Sequence, residues 1–331
     1  MGQPELDVVG VGNAIVDVLA QASDEFLQDN GLTKGSMTLI DEARARELYA
    51  SMGPAREASG GSAANTMAGI ASLGGKPAYI GRVANDQLGE IFSHDMRSSG
   101  IHFAVPPAAG GPSTARCLIL VTPDAQRTMN TYLGACVDLC AEDVDEDLVR
   151  RGKVLYLEGY LWDRPKAKDA FVKAARVAAA ANRQVALSLS DSFCVTRHRD
   201  SFRELVAHHV DILFANETEI KALYETESFD TAAARGREHT KLAVLTRGAH
   251  GSVLLSGATS VEIPAEPVGK VIDTTGAGDL YAAGVLFGLT RGEPLATAGR
   301  RGSIAAAEII SHYGARPERE LKALVSSSLQ A

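Results

Sequence analysis

Asp273-Thr274-Thr275-Gly276-Ala277-Gly278-Asp279 runs without a break into Leu280-Tyr281-Ala282-Ala283-Gly284-Val285-Leu286-Phe287-Gly288-Leu289. A polar turn punctuated by glycine meets an apolar helix. The N–H groups of Gly276, Ala277 and Gly278 fall at the start of that helix. No intrahelical carbonyl reaches them there, and the peptide dipoles add partial positive charge. Glycine lets an anion approach such a terminus closely. Asp279 plants a carboxylate in the same positive concavity. It is either a first-turn acid favoured by the dipole or a base beside a bound anion, and spacing leaves both open. The crowding of small residues favours the second, because a cap does not require an uncovered backbone.

Working outward, the frame is that of a globular α/β protein. The 331 residues suffice for one large domain or two smaller ones, and a hydrophobic share of 45% supplies an ordinary core. The balance of 33 basic and 41 acidic residues, net −8, disfavours a nucleic-acid partner. Small anions remain admissible, since local dipoles hold them. Cys117, Cys136, Cys140 and Cys194 form no C-x-x-C, which argues against zinc and for reduced thiols. The first residues lack both a signal-peptide pattern and a myristoylation pattern, and no run approaches the ~18 apolar residues of a membrane span. A cytoplasmic protein with no membrane partner is expected.

Short apolar runs recur between helical patterns. The first strand is expected from Leu6 to Val11, with others at 154–157, 185–189, 211–214 and 242–245. Each lacks clean alternation, as strands buried on both faces of a parallel sheet do. Helices are expected at 165–181, 216–224 and 230–239, so the core reads as doubly wound α/β, a mostly parallel sheet flanked by helices. Residues 115–121 and 127–133 flank Thr122-Pro123-Asp124-Ala125-Gln126 and predict a hairpin. With the non-helical stretch 30–40 they predict a small β-sheet lid, built from two insertions at about 15–40 and 102–135 in a single domain spanning 1–331.

Four further constellations carry chemistry. Gly60-Gly61-Ser62-Ala63-Ala64-Asn65 opens a helix of small residues, and the Asn65 amide suits a polyol or simple close packing. Asn216-Glu217-Thr218-Glu219 lies at a strand–helix junction and suits Mg²⁺ held through water, or a capping box. Gly12-Asn13-Ala14-Ile15-Val16-Asp17 puts an acid just past the first strand, fit for a vicinal diol or for an ordinary loop. Thr246-Arg247-Gly248-Ala249-His250-Gly251 is a glycine-rich turn that admits a nucleotide or merely turns a hairpin. There is no Walker loop, no complete dinucleotide fingerprint, no G-x-S-x-G and no H-E-x-x-H.

Together these segments resemble the ribokinase-like (PfkB) family of small-molecule kinases. Gly60 to Asn65, followed by Gly81 and Gly89, is similar to the family's first signature. Asp273 to Asp279 is similar to its second, and Asn216 to Glu219 to its Asn-x-x-Glu element. The resemblance implies ATP and Mg²⁺. It makes Asp279 the base and Gly276, Ala277 and Gly278 the anion hole. Asp17, Gly60, Gly61 and Asn65 would bind acceptor hydroxyls. Asn216 and Glu219 would organise Mg²⁺ and its waters, and Thr246, Gly248 and Gly251 would lie along ATP. Asp273 and Thr275 fall where several members hold a monovalent cation such as K⁺.

The Gly-Asn-x-x-x-Asp spacing at Gly12, Asn13 and Asp17, with 24–27 and 35–40, resembles the adenosine kinase branch. It implies transfer to the 5′-hydroxyl of a purine nucleoside, with Met37, Leu39, Tyr132, Leu133, Leu161 and Trp162 offering surfaces to the base. Glu158 departs from that branch: its acid suits extra sugar hydroxyls or a base's amino group. A ribokinase- or fructokinase-like sugar kinase is the neighbouring reading. A catalytically silent metabolite binder is a third, against which the intact Asp279 and its glycines count. Family members are monomers or dimers joined through their lids.

Overall fold

The computed structural model describes residues 4–124 and 126–330. Ala125, in the turn of the expected hairpin, lies outside the described residues. So do Met1, Gly2 and Gln3, at the start of the stretch read as lacking a signal.

The order opens with β1 (Leu6–Val11), β2 (Ile15–Gln21), α1 (Asp24–Asp29), β3 (Met37–Leu39), α2 (Glu42–Ser51) and β4 (Ala55–Gly60). It continues with α3 (Ser62–Ser72), β5 (Pro77–Ile80), α4 (Gln87–Ser98), β6 (Ala115–Val121), β7 (Arg127–Tyr132) and α5 (Glu146–Arg151). An alternating stretch follows: β8 (Gly152–Glu158), α6 (Pro165–Ala180), β9 (Gln184–Ser188), α7 (Ser192–Arg197), α8 (Arg199–His209), β10 (Ile212–Asn216), α9 (Glu217–Tyr224), α10 (Phe229–His239) and β11 (Leu242–Thr246). Last come β12 (Ser252–Ser256), β13 (Thr259–Ile263), α11 (Ala277–Thr290), α12 (Leu295–Ile309) and α13 (Leu321–Gln330). Among the described residues no helix is long and apolar enough to cross a membrane.

An eight-stranded sheet runs β13-β12-β11-β10-β9-β8-β1-β5. From β5 to β11 its neighbours pair in parallel, and β12 and β13 add an antiparallel edge. Both faces are covered. Val8, Tyr156, Phe214 and Val244 pack with residues of α3 and α11 on one side. Val9, Leu157, Leu187, Leu213 and Leu245 pack with α6, α8 and α9 on the other. Two-sided burial is why these strands read as unbroken apolar runs. The carboxyl ends of β1, β8, β10 and β11 bring Asn13, Glu158, Asn216 and Thr246 to one edge, where open α/β sheets bind their ligands.

α11 is apolar nearly all round, and Leu280, Tyr281, Val285 and Leu286 are buried. Each such side chain stabilises the fold by roughly 1.5–3 kcal/mol. It lies close against α3: a Cβ on Gly69 would come within 2.6 Å of the Ala283 Cβ.

A second sheet of five strands runs β3-β7-β6-β2-β4. β6 and β7 form the expected antiparallel hairpin. The first contribution to this sheet extends past residue 40, through β4, which pairs antiparallel with β2 and sets Ala58 opposite Asp17. Ala55-Arg56-Glu57-Ala58-Ser59-Gly60 has no β-branched or aromatic residue, so nothing local marks it as a strand. Pairing with β2 makes it one. Between residues 102 and 114 only isolated bridges occur.

Candidate active site

The turn at 273–279 folds as a helix start. Gly276 is its N-cap at φ +79°, a left-handed conformation that favours glycine, and α11 begins at Ala277. One expected donor is engaged: the Ala277 N–H donates to the Thr274 carbonyl at 3.2 Å. That closes a turn and withdraws Ala277 from the anion hole as read above. Among the described residues the N–H groups of Gly276 and Gly278 have no partner. Nothing lies within 4 Å of where a Gly278 Cβ would stand.

Asp279 is half-buried, and its side chain is held from α3. Ser62 Oγ donates to Oδ1 at 2.6 Å, and Asn65 Nδ2 donates to Oδ2 at 3.0 Å. Burial raises the Asp279 pKa, while these donors and the Arg316 charge lower it. A cap would bond its own helix; this carboxylate is bonded by another one. Asn65 is 5% exposed, and its Oδ1 has no partner. An orphaned buried acceptor beside Asp279 is what an acceptor hydroxyl would satisfy.

Asp17, on β2, joins the same cleft. Its pKa is pushed up to about 6, first by burial, with Arg316 and Arg127 pulling it down. Gly60 admits it, since a Cβ there would strike the carboxylate. Gly61 sits at φ +94°, where a Cβ would strike the Asn13 carbonyl oxygen.

Glu158 is not where a ligand for sugar hydroxyls would be. It is 1% exposed, at the end of β8. Its Oε1 accepts from Asn13 Nδ2 at 2.7 Å and from Asn13 N at 3.3 Å, and its Oε2 accepts from Ala63 N at 2.8 Å. The carboxyl braces the turn after β1 against the first turn of α3. Burial pushes it up to about 7 against those three donors. Asn13 is spent likewise, since its Oδ1 takes the Cys136 thiol at 3.0 Å. Leu161 and Trp162 are a second correction. They are buried in the core on the α6 side of the large sheet, with Trp162 against Phe171 and Phe202. Met37 and Leu39, 49% and 54% exposed on β3, remain available.

Asn216 and Glu219 form the capping box of α9. Asn216 Oδ1 accepts from Glu219 N, while the Glu219 oxygens accept from Asn216 N and Nδ2. Glu219 is pushed up to about 7, chiefly by burial, with Asp191 and Asp279 adding repulsion. No cluster able to cage a metal directly occurs among the described residues. An acid held so close to the Asn216 amide would suit a divalent cation reached through water. Thr246 lies opposite Asn216 in the sheet register. The turn at Gly248 and Gly251 is tied to α9, because Arg247 Nε donates to Glu217 at 3.1 Å.

Asp273 and Thr275 meet a different cation. Arg127 Nη2, from β7, pairs with Asp273 Oδ2 at 2.6 Å, and Nη1 donates to Thr275 Oγ1 at 3.3 Å. Asp273 also accepts from Thr275 N and Oγ1 and from Gly314 N. Both oxygens are engaged, and the guanidinium supplies the charge. These residues do not fit a monovalent metal ion in this arrangement.

Ser62, Arg127 and Arg316 escaped the sequence reading. Ser62 stands inside a quoted motif, one residue past the second glycine. Arg127 opens the expected hairpin strand, and Arg316 lies in a loop with no pattern at all.

The family described as pfkB family carbohydrate kinase matches residues 39–321. The crystal structure of adenosine kinase from Sinorhizobium meliloti is 53% identical, covering 99% of this chain and 100% of that one, with a TM-score of 0.91. A probable sugar kinase protein from Rhizobium etli CFN 42 is 48% identical, with coverage of 99% and 100% and a TM-score of 0.93. Adenosine kinase of Saccharomyces cerevisiae is 26% identical over 93% of this chain and 95% of its own length.

Proposed function

Because this chain belongs to the pfkB family of carbohydrate kinases, we propose that it transfers the terminal phosphoryl group of ATP to the primary 5′-hydroxyl of a purine nucleoside, adenosine first. The observation that carries the chemistry is the Asp279 carboxylate. It stands at the open start of α11, held by Ser62 and Asn65 from a second helix. The acceptor assignment is supported by the 53% identical adenosine kinase, which this chain matches end to end.

Asp279 takes the proton of the attacking hydroxyl. Proton transfer is late in phosphoryl transfer, so a carboxylate suffices. The free N–H groups of Gly276 and Gly278 face the charge that develops on the phosphoryl oxygens, and fixed dipoles need no reorganisation there. Asp17 and the Asn65 Oδ1 accept from the acceptor's other hydroxyls and set its orientation. Thr246, Gly248 and Gly251 border ATP. Asn216 and Glu219 would hold Mg²⁺ through water, and the ion would supply positive charge to offset that of the phosphate oxygens. No step is assigned to a monovalent cation. The sheet carrying Asp17 and Arg127 closes over the acceptor and keeps water from the reaction.

Purified protein with ATP, Mg²⁺ and a panel of nucleosides and free sugars tests this. Adenosine is expected to be phosphorylated with the highest kcat/KM. The likeness to the probable sugar kinase supports a second reading. Phosphorylation of ribose or fructose without adenosine would establish that reading and remove the first.

A further inference from the structure

The segment after α12 touches both turns of the site. The Gly314 N–H donates to Asp273 Oδ2 at 3.0 Å. Ala315 packs on Gly276, where a Cβ would meet its own at 2.9 Å. Arg316 then reaches the other turn. Its Nε donates to the Ser59 carbonyl at 3.1 Å, Nη1 to the Ala64 carbonyl at 3.0 Å and Nη2 to Ser59 Oγ at 3.2 Å. Ser59 and Ala64 flank Gly60 and Gly61, and Asp95 Oδ2 accepts the Ser59 N–H at 3.0 Å from α4. Three consecutive residues therefore join the phosphoryl-side turn to the acceptor-side turn. The segment is itself anchored, because the buried Glu308 accepts from Glu318 N and Arg319 N.

The guanidinium also sits in a field of acids. It faces Asp17 from β2, Tyr79 from β5, Asp95 from α4 and Asp279 from α11. It forms a close ion pair with none of them among the described residues. Arg127 faces Asp17 from β7, and Glu158 faces Asp279 from β8.

We propose that Arg316 is a positioning residue of the phosphoryl transfer. It fixes the spacing between the acceptor turn and the start of α11, and it brings a positive charge to the cleft that holds Asp17 and Asp279. This rests on the phosphotransferase reading above. Burial raises both carboxyl groups, and the Arg316 charge is the first opposing influence on Asp17 and one of three on Asp279.

Arg316→Gln removes the charge; Arg316→Lys keeps it and loses the fork that spans two carbonyls. In the Gln variant the acid limb of kcat/KM for adenosine is expected to move to higher pH by about one unit. In the Lys variant the limb stays and the KM for adenosine rises about tenfold. A merely structural role would lower the melting temperature and leave the limb in place, so an unmoved limb in a folded Gln variant overturns the electrostatic half. An unchanged KM in the Lys variant overturns the positioning half. Carboxyl-carbon NMR titration of the wild type and of Arg316→Gln, with Asp279 assigned through Asp279→Asn, needs no turnover. Asp279 is expected to be ionised at pH 7; a protonated Asp279 there overturns the proposal. A wild-type chain that phosphorylates nothing would sink the kinase reading instead, whereas an Asp279 that titrates alike in both proteins would overturn the charge role of Arg316.

Discussion

At Asp279 two demands oppose each other. A base must be ionised, yet the cleft that shields the reaction penalises its charge. Ser62, Asn65 and Arg316 offset that penalty, and activity should fall as pH drops through the raised Asp279 pKa. Replacing Asp279 by Asn keeps the shape and removes the base. Turnover is expected to fall by ~10²-fold or more, while adenosine affinity by calorimetry stays within a few-fold; near-normal turnover would remove Asp279 from the role. This residue was legible in the sequence because everything that exposes it is local: three small residues and a helix start. Glu158 was not, since its partners Asn13 and Ala63 lie 145 and 95 positions away. The resemblance placed an acid near the acceptor but did not show that the fold had already engaged it. Arg316 lies further still from its partner, 257 positions from Ser59.

Among elements, β7 shows how the second sheet is tied to the first. Its Arg127 is buried against Asp273, with side chains 9% and 6% exposed, and its guanidinium lies 5.5 Å from the Tyr313 ring centroid. Removing one member of such a pair leaves the other charge buried and uncompensated, which costs about 3–5 kcal/mol. Arg127→Met is therefore expected to lose about that much in urea unfolding. Amide exchange should quicken in β6 and β7, while β8 to β10 hold. Exchange quickened evenly across both sheets would show that the pair is no tie. β1 and β8 to β11 of the large sheet and helices such as α6 and α9 were readable because apolar runs, a first-turn proline and a capping box are written locally. β4 was not, because only its partner makes it a strand.

For the whole molecule, burial of acids around one cleft couples folding to pH. Asp17 is raised to about 6, and Glu158 and Glu219 to about 7. A raised carboxyl keeps its proton in the folded chain after the unfolded chain has released it. Its contribution is fully present below the usual carboxyl range and is lost as pH rises toward 7. The urea midpoint of the ligand-free protein is expected to fall between pH 5 and 7.5, and Glu158→Gln should show a smaller fall. Equal falls in the two proteins would mean that Glu158 ionises alike folded and unfolded. The doubly wound frame was legible throughout, whereas the way the two sheets meet at Asn13, Gly60 and Arg127 depends on contacts that no local pattern encodes. One more consequence lies in the tight seam between α3 and α11, where Gly69 meets Ala283. That seam carries Ser62, Asn65 and Asp279, whereas Asp17, Met37 and Leu39 belong to the five-stranded sheet. An engineer seeking a new acceptor can vary the exposed positions of the small sheet, sparing Asp17 and Arg127, and keep the base and the helix start that holds it. The same library cut into the seam would overpack it and cost the fold together with the base.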